Sequence, residues 1–600
     1  MLFTLLRRFI FIMILFSVAS ASISESKEIK TGDIILRSNP NTPVVAPKLS
    51  RLYQQIPRDS AVKIWLFFTD KSVFTPEDYY KSIENYRIMA SPRVLRKIKL
   101  RAKNKDFDFT DIPVAEKYIR KIEEMGLKVR VKSKWLNAVS LYANSEQLKP
   151  LSQLSFVKSI DRVARYKGVE PEVAEVSIPK IYIMPKGTLL DYGPSYPQLA
   201  QINVPALHNL GYNGSGVLVC MMDGGFQKNH PAFARAFAEG RVLAEYDFIN
   251  NDSNTQNEPG DPSNQDHHGT YTWSALGGEV EGQLYGPAYK ADFILAKTED
   301  VSAEYPAEED NWVAGAEWAT DTWGADIISS SLGYNDWYTY QDMDGKTAKT
   351  TIVADLAAAK GTLVVNSAGN ERDNLWYYII APADGESVLT VGAVDISGDI
   401  SFFSSAGPTY DGRIKPDVVA CGVGTYCAVP GGVYGRVDGT SLSAPLVAGA
   451  AVMLLQIDST LSPMDVINSL RNYANRADDP DTVSYVYGWG IIDAYASGGF
   501  SQIALYANIT IRPNPFSDVV IILVEAKATD RVGISVCTVA GEVLVKELPF
   551  AYVKHKDRYG YEMLWNGKNQ EGKKVADGIY LVNVRIGDKS QIVKIAKVSK

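Results

Sequence analysis

The stretch GVLVCMMDGG, residues 216–225, decides how the largest part of this chain folds. From Val217 to Met222 every residue is apolar, with none of the alternation that a strand with one wet face would show. Such a run suits a short strand covered on both sides, as in a parallel sheet between helices. Runs of the same kind recur at 291–298 (ADFILAKT), 325–333 (ADIISSSLG), 361–370 (GTLVVNSAGN) and 388–394 (VLTVGAV), with helical patterns at 311–323 and 352–360. Strand alternating with helix predicts a three-layer α/β domain with a mainly parallel sheet over residues 191–502. Polar residues gather where the runs end, Asp223 first among them, and open α/β sheets carry their sites at such ends.

At 600 residues the chain exceeds one ordinary core, and several domains are expected. Residues 1–21 carry Arg7 and Arg8, an apolar run from Phe9 to Val18, and Ala19-Ser20-Ala21. That is the pattern of a cleaved secretory signal, too short for the roughly 20 residues of a spanning helix. Residues 22–190 hold strands at 61–68, 128–143 and 157–166 and helices at 114–126 and 145–154, a small α+β unit over about 60–166 followed by a linker. The basic run RVLRKIKLRAKNK, 93–105, reads as a solvated helix face. From 503 to 600 short strands and turn signals predict a β-sandwich.

Hydrophobic residues at 46% and charged residues at 22% exclude a disordered chain, and a net charge of -7 gives no basic field for nucleic acid. Four cysteines are too few for a disulfide scaffold. Cys220 reads as a buried thiol, whereas Cys421 and Cys427 flank a short loop, a spacing open to pairing in an oxidising compartment.

Three motifs of the central domain carry chemistry once they are taken together. MMDGG puts Asp223 at a strand end, where alone it would be a turn residue. DHHGT, 266–270, puts His268 directly before Gly269-Thr270 and a helix start. DGTSLSAPLVAGAA, 438–451, puts Ser441 and Ser443 ahead of a small-residue apolar helix, where a lone hydroxyl would be a cap. Only five histidines occur in the chain, and one of them falls in a suitable motif between the Asp and the Ser. The order Asp, His, Ser is not that of chymotrypsin-like enzymes or α/β-hydrolases, and Ser441 sits in no G-x-S-x-G elbow.

On these motifs the chain resembles the subtilisin-like serine proteases, the subtilases. A serine hydroxyl needs an adjacent base to become a nucleophile. His268 would take the Ser441 proton and return it to the leaving amine, while Asp223 holds the imidazole's tautomer. The resemblance extends to VVNSAGNE, 364–371, where Asn370 matches the side-chain amide of the oxyanion hole, with the Ser441 main-chain amide beside it. It extends also to SSLG, 330–333, which matches the substrate strand and implies peptide binding by Ser331, Leu332 and Gly333. His267 is the rival base, but it does not directly precede Gly-Thr. Gly224 stands where the family commonly has Thr or Ser, so a hydroxyl that would help hold the Asp223 carboxylate is missing. Ser443 reads as packing.

The family implies no cofactor for the reaction, although its members often bind a structural Ca²⁺. Glu304, Glu308, Glu309 and Asp310 lack calcium-ligand spacing and read as solvated or substrate-rim charge, so no metal is assigned. Residues 134–163 resemble the family's inhibitor-like propeptide, which implies an intramolecular inhibitor of the groove, self-cleavage within 167–195 and a mature enzyme from about Leu190. RPNPF, 512–516, and the segment 564–584 resemble the immunoglobulin-like domain of flagellar hook-capping proteins and the sorting domains of type IX secretion. They imply a partner at the cell surface or in the secretion machinery. The expectation is a secreted or cell-surface serine endopeptidase acting on protein or peptide substrates. The alternative is a catalytically inactive subtilase scaffold serving adhesion or binding.

Overall fold

Contacts divide the chain into two compact units, Met1–Gly498 and Gly499–Lys600. The computed structural model describes residues 44–55, 60–165, 173–174, 188–302, 309–500, 509–524, 531–538, 542–555, 558–586 and 589–599. The signal-like segment lies outside them.

The amino-terminal part of the first unit is built on β1 (Val44–Val45), β2 (Val62–Phe68), β3 (Val129–Ser133), β4 (Ala138–Ala143) and β5 (Val157–Arg162), in the order β1-β5-β2-β4-β3. Between β2 and β3 run α1 (Pro76–Met89), α2 (Pro92–Arg101) and α3 (Glu116–Glu123), and α4 (Ser145–Ser152) follows β4. Thr75 and Ser91 cap α1 and α2 by accepting from Asp78 N and Val94 N, each with a proline at the first helical position. These two helices form an arm with its own small core of Val73, Ile83, Val94, Ile98, Phe107 and Ile112. The expected solvated basic face is corrected here: Lys97 and Arg101 of α2 are buried, covered by a part of the chain more than two hundred residues away.

A short strand, β6 (Val173–Ala174), precedes the central domain. The five apolar runs become β7 (Leu218–Asp223), β9 (Asp292–Lys297), β10 (Ile327–Ser330), β11 (Leu363–Ser367) and β12 (Val388–Val394), and two strands outside those runs, β8 (Val242–Asp247) and β13 (Val418–Cys421), complete the sheet. They pair in the order β13-β12-β11-β10-β7-β9-β8, every pair parallel. Every residue of β7 and of β10 to β13 is buried, as a sheet covered on both faces requires. The helices that bear on the site and its support are α5 (His267–Gly277), α6 (Glu309–Glu317), which continues as a π-helical turn over Trp318–Trp323, α7 (Lys349–Ala359) and α8 (Thr440–Ile457). Leu218, Cys220 and Met222, alternate residues of β7, share a core with Trp312 and Ala316 of α6 and Val353 and Ala357 of α7. α8 packs on β10 to β13. After β13 comes a hairpin, β14 (Thr425–Val429) and β15 (Val433–Val437), whose second strand also pairs with β6.

All four cysteines are free thiols. Cys421 Sγ lies 3.5 Å from the Val423 carbonyl, and Cys427 is buried. The second unit is a β-sandwich of two four-stranded sheets, with Val520, Ile522, Val536, Trp565, Val582 and Val584 between them.

β9 ends in Lys297, a fully buried cation whose Nζ lies 2.8 Å from Asp247 Oδ2 and 2.7 Å from Asp261 Oδ2. Lys297→Ala would strand both carboxylates and is expected to cost about 3–5 kcal/mol, read as a lower urea midpoint of unfolding.

Candidate active site

The loops and helices that follow the strand ends bring the motif residues together. Asp223 closes β7, and α5 begins directly over it. Gly269 makes that approach feasible, because a Cβ there would fall 2.1 Å from the Gly225 carbonyl and 3.0 Å from Asp223 Cβ. His268 Nδ1 consequently reaches Asp223 Oδ1 at 2.7 Å. A carboxylate only accepts, so Nδ1 carries the proton and Nε2 the lone pair. His267, one residue earlier, is half-buried, and it is the His268 ring that meets the carboxylate.

The hydroxyl missing after Asp223 is supplied from elsewhere. Thr272, one turn beyond His268 on α5, donates its Oγ1 to Asp223 Oδ2 at 2.9 Å, and Gly224 N donates to Oδ1 at 2.8 Å. Thr272 was not singled out in the sequence, although its spacing of four from His268 puts both side chains on one helix face. The carboxylate is buried and accepts three hydrogen bonds, whereas 15% of the His268 side chain remains exposed.

Ser441 stands in the first turn of α8 behind Gly439, whose φ of +148° suits a residue without a Cβ. Its Oγ lies 3.5 Å from the Ser331 carbonyl, and Ser331 Oγ donates to the Ser441 carbonyl at 3.0 Å. Ser443 Oγ turns back to its own helix, donating to the Thr440 carbonyl at 2.9 Å. Tyr271 and Ala275 of α5 share a small core with Leu442 of α8, so the two helix starts adjoin. Asn370 follows β11. Its Oδ1 accepts from Thr440 N at 3.0 Å and Thr440 Oγ1 at 2.8 Å, which fixes the amide and turns its Nδ2 donor end toward the Gly439 turn. The segment Ser331-Leu332-Gly333 continues β10. Asn366 Nδ2 donates to the Leu332 carbonyl at 2.9 Å, which holds that backbone in place.

The amino-terminal sheet covers the acidic side of α6, and this corrects the reading of Glu309 and Asp310 as solvated or substrate-rim charge. Trp65 Nε1 donates to Glu309 at 3.0 Å, Lys63 Nζ to Asp310 at 2.9 Å, and Trp135 N to Glu317 at 3.2 Å. Burial pushes the carboxyl groups of Glu309 and Glu317 up to about 7. Glu304 and Glu308 lie outside the described residues. Beyond β5, Glu309 N donates to the Ala164 carbonyl at 3.1 Å, and at Asp336, five residues past Ser331, Arg165 N donates to the side-chain Oδ1 at 2.6 Å while Asp336 N donates to the Arg165 carbonyl at 3.2 Å. The chain is described again at β6, where Val173 pairs with Val437 and Ala174 with Arg436, a few residues before Ser441.

Among the described residues Asp247, Asp252 and Glu258 bring carboxylates within 4.8 Å of one another. They do not fit a divalent cation, because Lys297 already sets its ammonium against Asp247.

Comparison with known proteins gives two family matches. A model of the subtilase family, Peptidase S8, matches residues 214–490, and one of the Peptidase S8 propeptide domain of Bacteroidota matches residues 63–175. Subtilisin E of Bacillus subtilis (strain 168) is 30% identical over 381 residues, 63% of this chain and 84% of its own. Subtilisin of Bacillus pumilus is 31% identical over 301 residues, 50% of this chain and 97% of its own. Among solved structures, a protease of Pseudoalteromonas arctica PAMC 21717 is similar over 52% of this chain and 98% of its own, with a TM-score of 0.41 and 23% identity.

Thr272→Val removes a hydrogen bond to a buried carboxylate and is expected to cost about 1.5–3 kcal/mol in chemical unfolding. Thr272→Ser keeps the hydroxyl and is expected to restore most of that loss.

Proposed function

The chain belongs to the subtilase family of serine proteases, and from that membership we propose that it is an exported endopeptidase held latent by its own prosegment. The observation that carries the reading is the 2.7 Å contact of His268 Nδ1 with Asp223, which leaves Nε2 as a base at the mouth of a site where Ser441 opens a helix. In this reading Ser441 Oγ attacks the scissile carbonyl while His268 Nε2 takes its proton. The resulting imidazolium is stabilised by Asp223, which Thr272 and Gly224 hold in place by donating to it. Asn370 Nδ2 and the Ser441 amide, free of an intrahelical partner in the first turn, hold the oxyanion. His268 then protonates the leaving amine, and water repeats the sequence on the acyl-enzyme.

The substrate would lie extended against Ser331-Leu332-Gly333 on one side of Ser441 and along β15 on the other. The first peptide to meet this track is the chain's own, since Arg165 is tied to Asp336 and Val173 to β15. Self-cleavage accordingly falls between Arg165 and Val173, earlier than a mature start at Leu190 would require. The carboxy-terminal sandwich is read as a noncatalytic module for export or surface attachment.

A fluorophosphonate probe is expected to label the wild type and not Ser441→Ala, and His268→Ala is expected to be inert where His267→Ala is active. Labelling that survives Ser441→Ala would leave the binding-scaffold reading standing. Asn370→Ala is expected to lower kcat by about 10²–10³ with little change in KM. Intact-mass and amino-terminal sequencing are expected to find the first self-generated terminus within 166–173. A first terminus near 190 would overturn that placement.

A further inference from the structure

The arm of the prosegment holds the catalytic part at a place far from the peptide track. β7 ends at Asp223, but at its other end Leu218 is bound on both sides by Asp326, which donates its N to the Leu218 carbonyl and accepts from Leu218 N through Oδ2, each at 2.8 Å. The same carboxylate meets two arginines of α2, Arg93 Nη2 at 2.7 Å and Arg101 Nη1 at 2.9 Å. Around this pair the arm is bonded along its length. Lys97 Nζ donates to the Thr320 carbonyl and to Thr362 Oγ1, both at 2.7 Å, and Arg101 Nε to the Ser459 carbonyl at 2.9 Å. Lys103 N donates to the Ala359 carbonyl at 2.8 Å, and Lys360 Nζ reaches Asp111 at 2.6 Å.

The receiving surface is shaped to α2. Gly324 and Gly361, at φ +66° and +86°, stand where a Cβ would come 3.0 Å from Val94 N and 2.9 Å from Arg101 Cβ. Backbone of the arm therefore lies directly on backbone of the catalytic part, with buried ion pairs on either side. Removing one partner of such a pair is costly because it leaves the other buried and uncompensated.

We propose that the end of the sheet opposite the triad is an exosite for α2, which keeps the cleaved prosegment on the enzyme as an anchor separate from the peptide groove. The proposal rests on the reading that the chain cuts itself between Arg165 and Val173. Cleavage then removes only the covalent tie, and a peptide that occupies the groove leaves α2 seated at Asp326. Release of the prosegment is slow for that reason, and latency outlasts processing.

The test uses the full chain, wild type and Arg93→Ala/Arg101→Ala, allowed to process under the same conditions. Intact mass reads the cut, size exclusion reads whether the prosegment co-elutes with the catalytic part, and hydrolysis of a small chromogenic peptide reads the lag before activity. Both proteins are expected to cut at the same bond. The wild-type prosegment is expected to co-elute, and the lag of the double variant to be at least tenfold shorter. Equal lag and equal co-elution overturn the exosite. A wild type that is never cut and never labelled by fluorophosphonate overturns the peptidase reading beneath it, which is a different result. If the double variant does not fold, Arg93→Glu, at a side chain 33% exposed, is expected to shorten the lag at least threefold, and an unchanged lag overturns the exosite.

Discussion

A strand covered on both faces carries charged side chains only at its two ends, and the molecule is organised by that constraint. β7 lies between β10 and β9, with Met222 opposite Ser330 and Asp223 opposite Lys297. Its interior is apolar, so its ends take the charges, Asp223 at one and the Asp326 contact at the other. Because neighbouring strands run parallel, their ends and the following helix starts fall on one side. There His268, Asn370 and Ser441 gather about groups that no strand interior could hold. Helix starts also leave backbone N–H groups unused, which suits a site where negative charge develops.

Much of this was legible in the sequence, for a physical reason. Unbroken apolar runs fix parallel strands, and the runs 216–223, 325–333 and 361–370 each contain a strand of the sheet, Leu218–Asp223, Ile327–Ser330 and Leu363–Ser367. The glycines of DHHGT and DGTSLSAP mark positions where a Cβ would collide or φ is positive, so they survive as a signature of close approach. Thr272 is not legible in the sequence, because a threonine inside a helix carries no signature of its own. Only the Asp223 carboxylate, 49 residues away in the chain, gives it a task.

The arm and the acidic side of α6 differ from what their sequences suggest for the same reason in mirror image. Lys97 and Arg101 look solvated in a basic helix, and Glu309 and Asp310 look solvated in an acidic one. Each is buried because the other part of the chain supplies its partner. Local sequence reports the charge on a face but not what lies against it. The two runs do not meet each other: the basic one meets Asp326 and the acidic one meets Lys63 and Trp65. Here both meet catalytic or prosegment surfaces through matched donors and acceptors rather than through apolar area alone.

In the proposed function the edge of β15 receives substrate, and it then has a wider meaning for what this molecule would act upon. Val433–Val437 takes Val173–Ala174 through backbone groups, which nearly every residue type offers alike. A surface that reads the main chain is tolerant of sequence and intolerant of shape, since its guest must be extended and unpaired. A folded neighbour presents such a stretch only when it opens locally, at a cost fixed by its own stability. Encounters would thus be sorted by how often a chain unravels, and a sturdy protein would pass by untouched while a frayed one of the same composition was consumed.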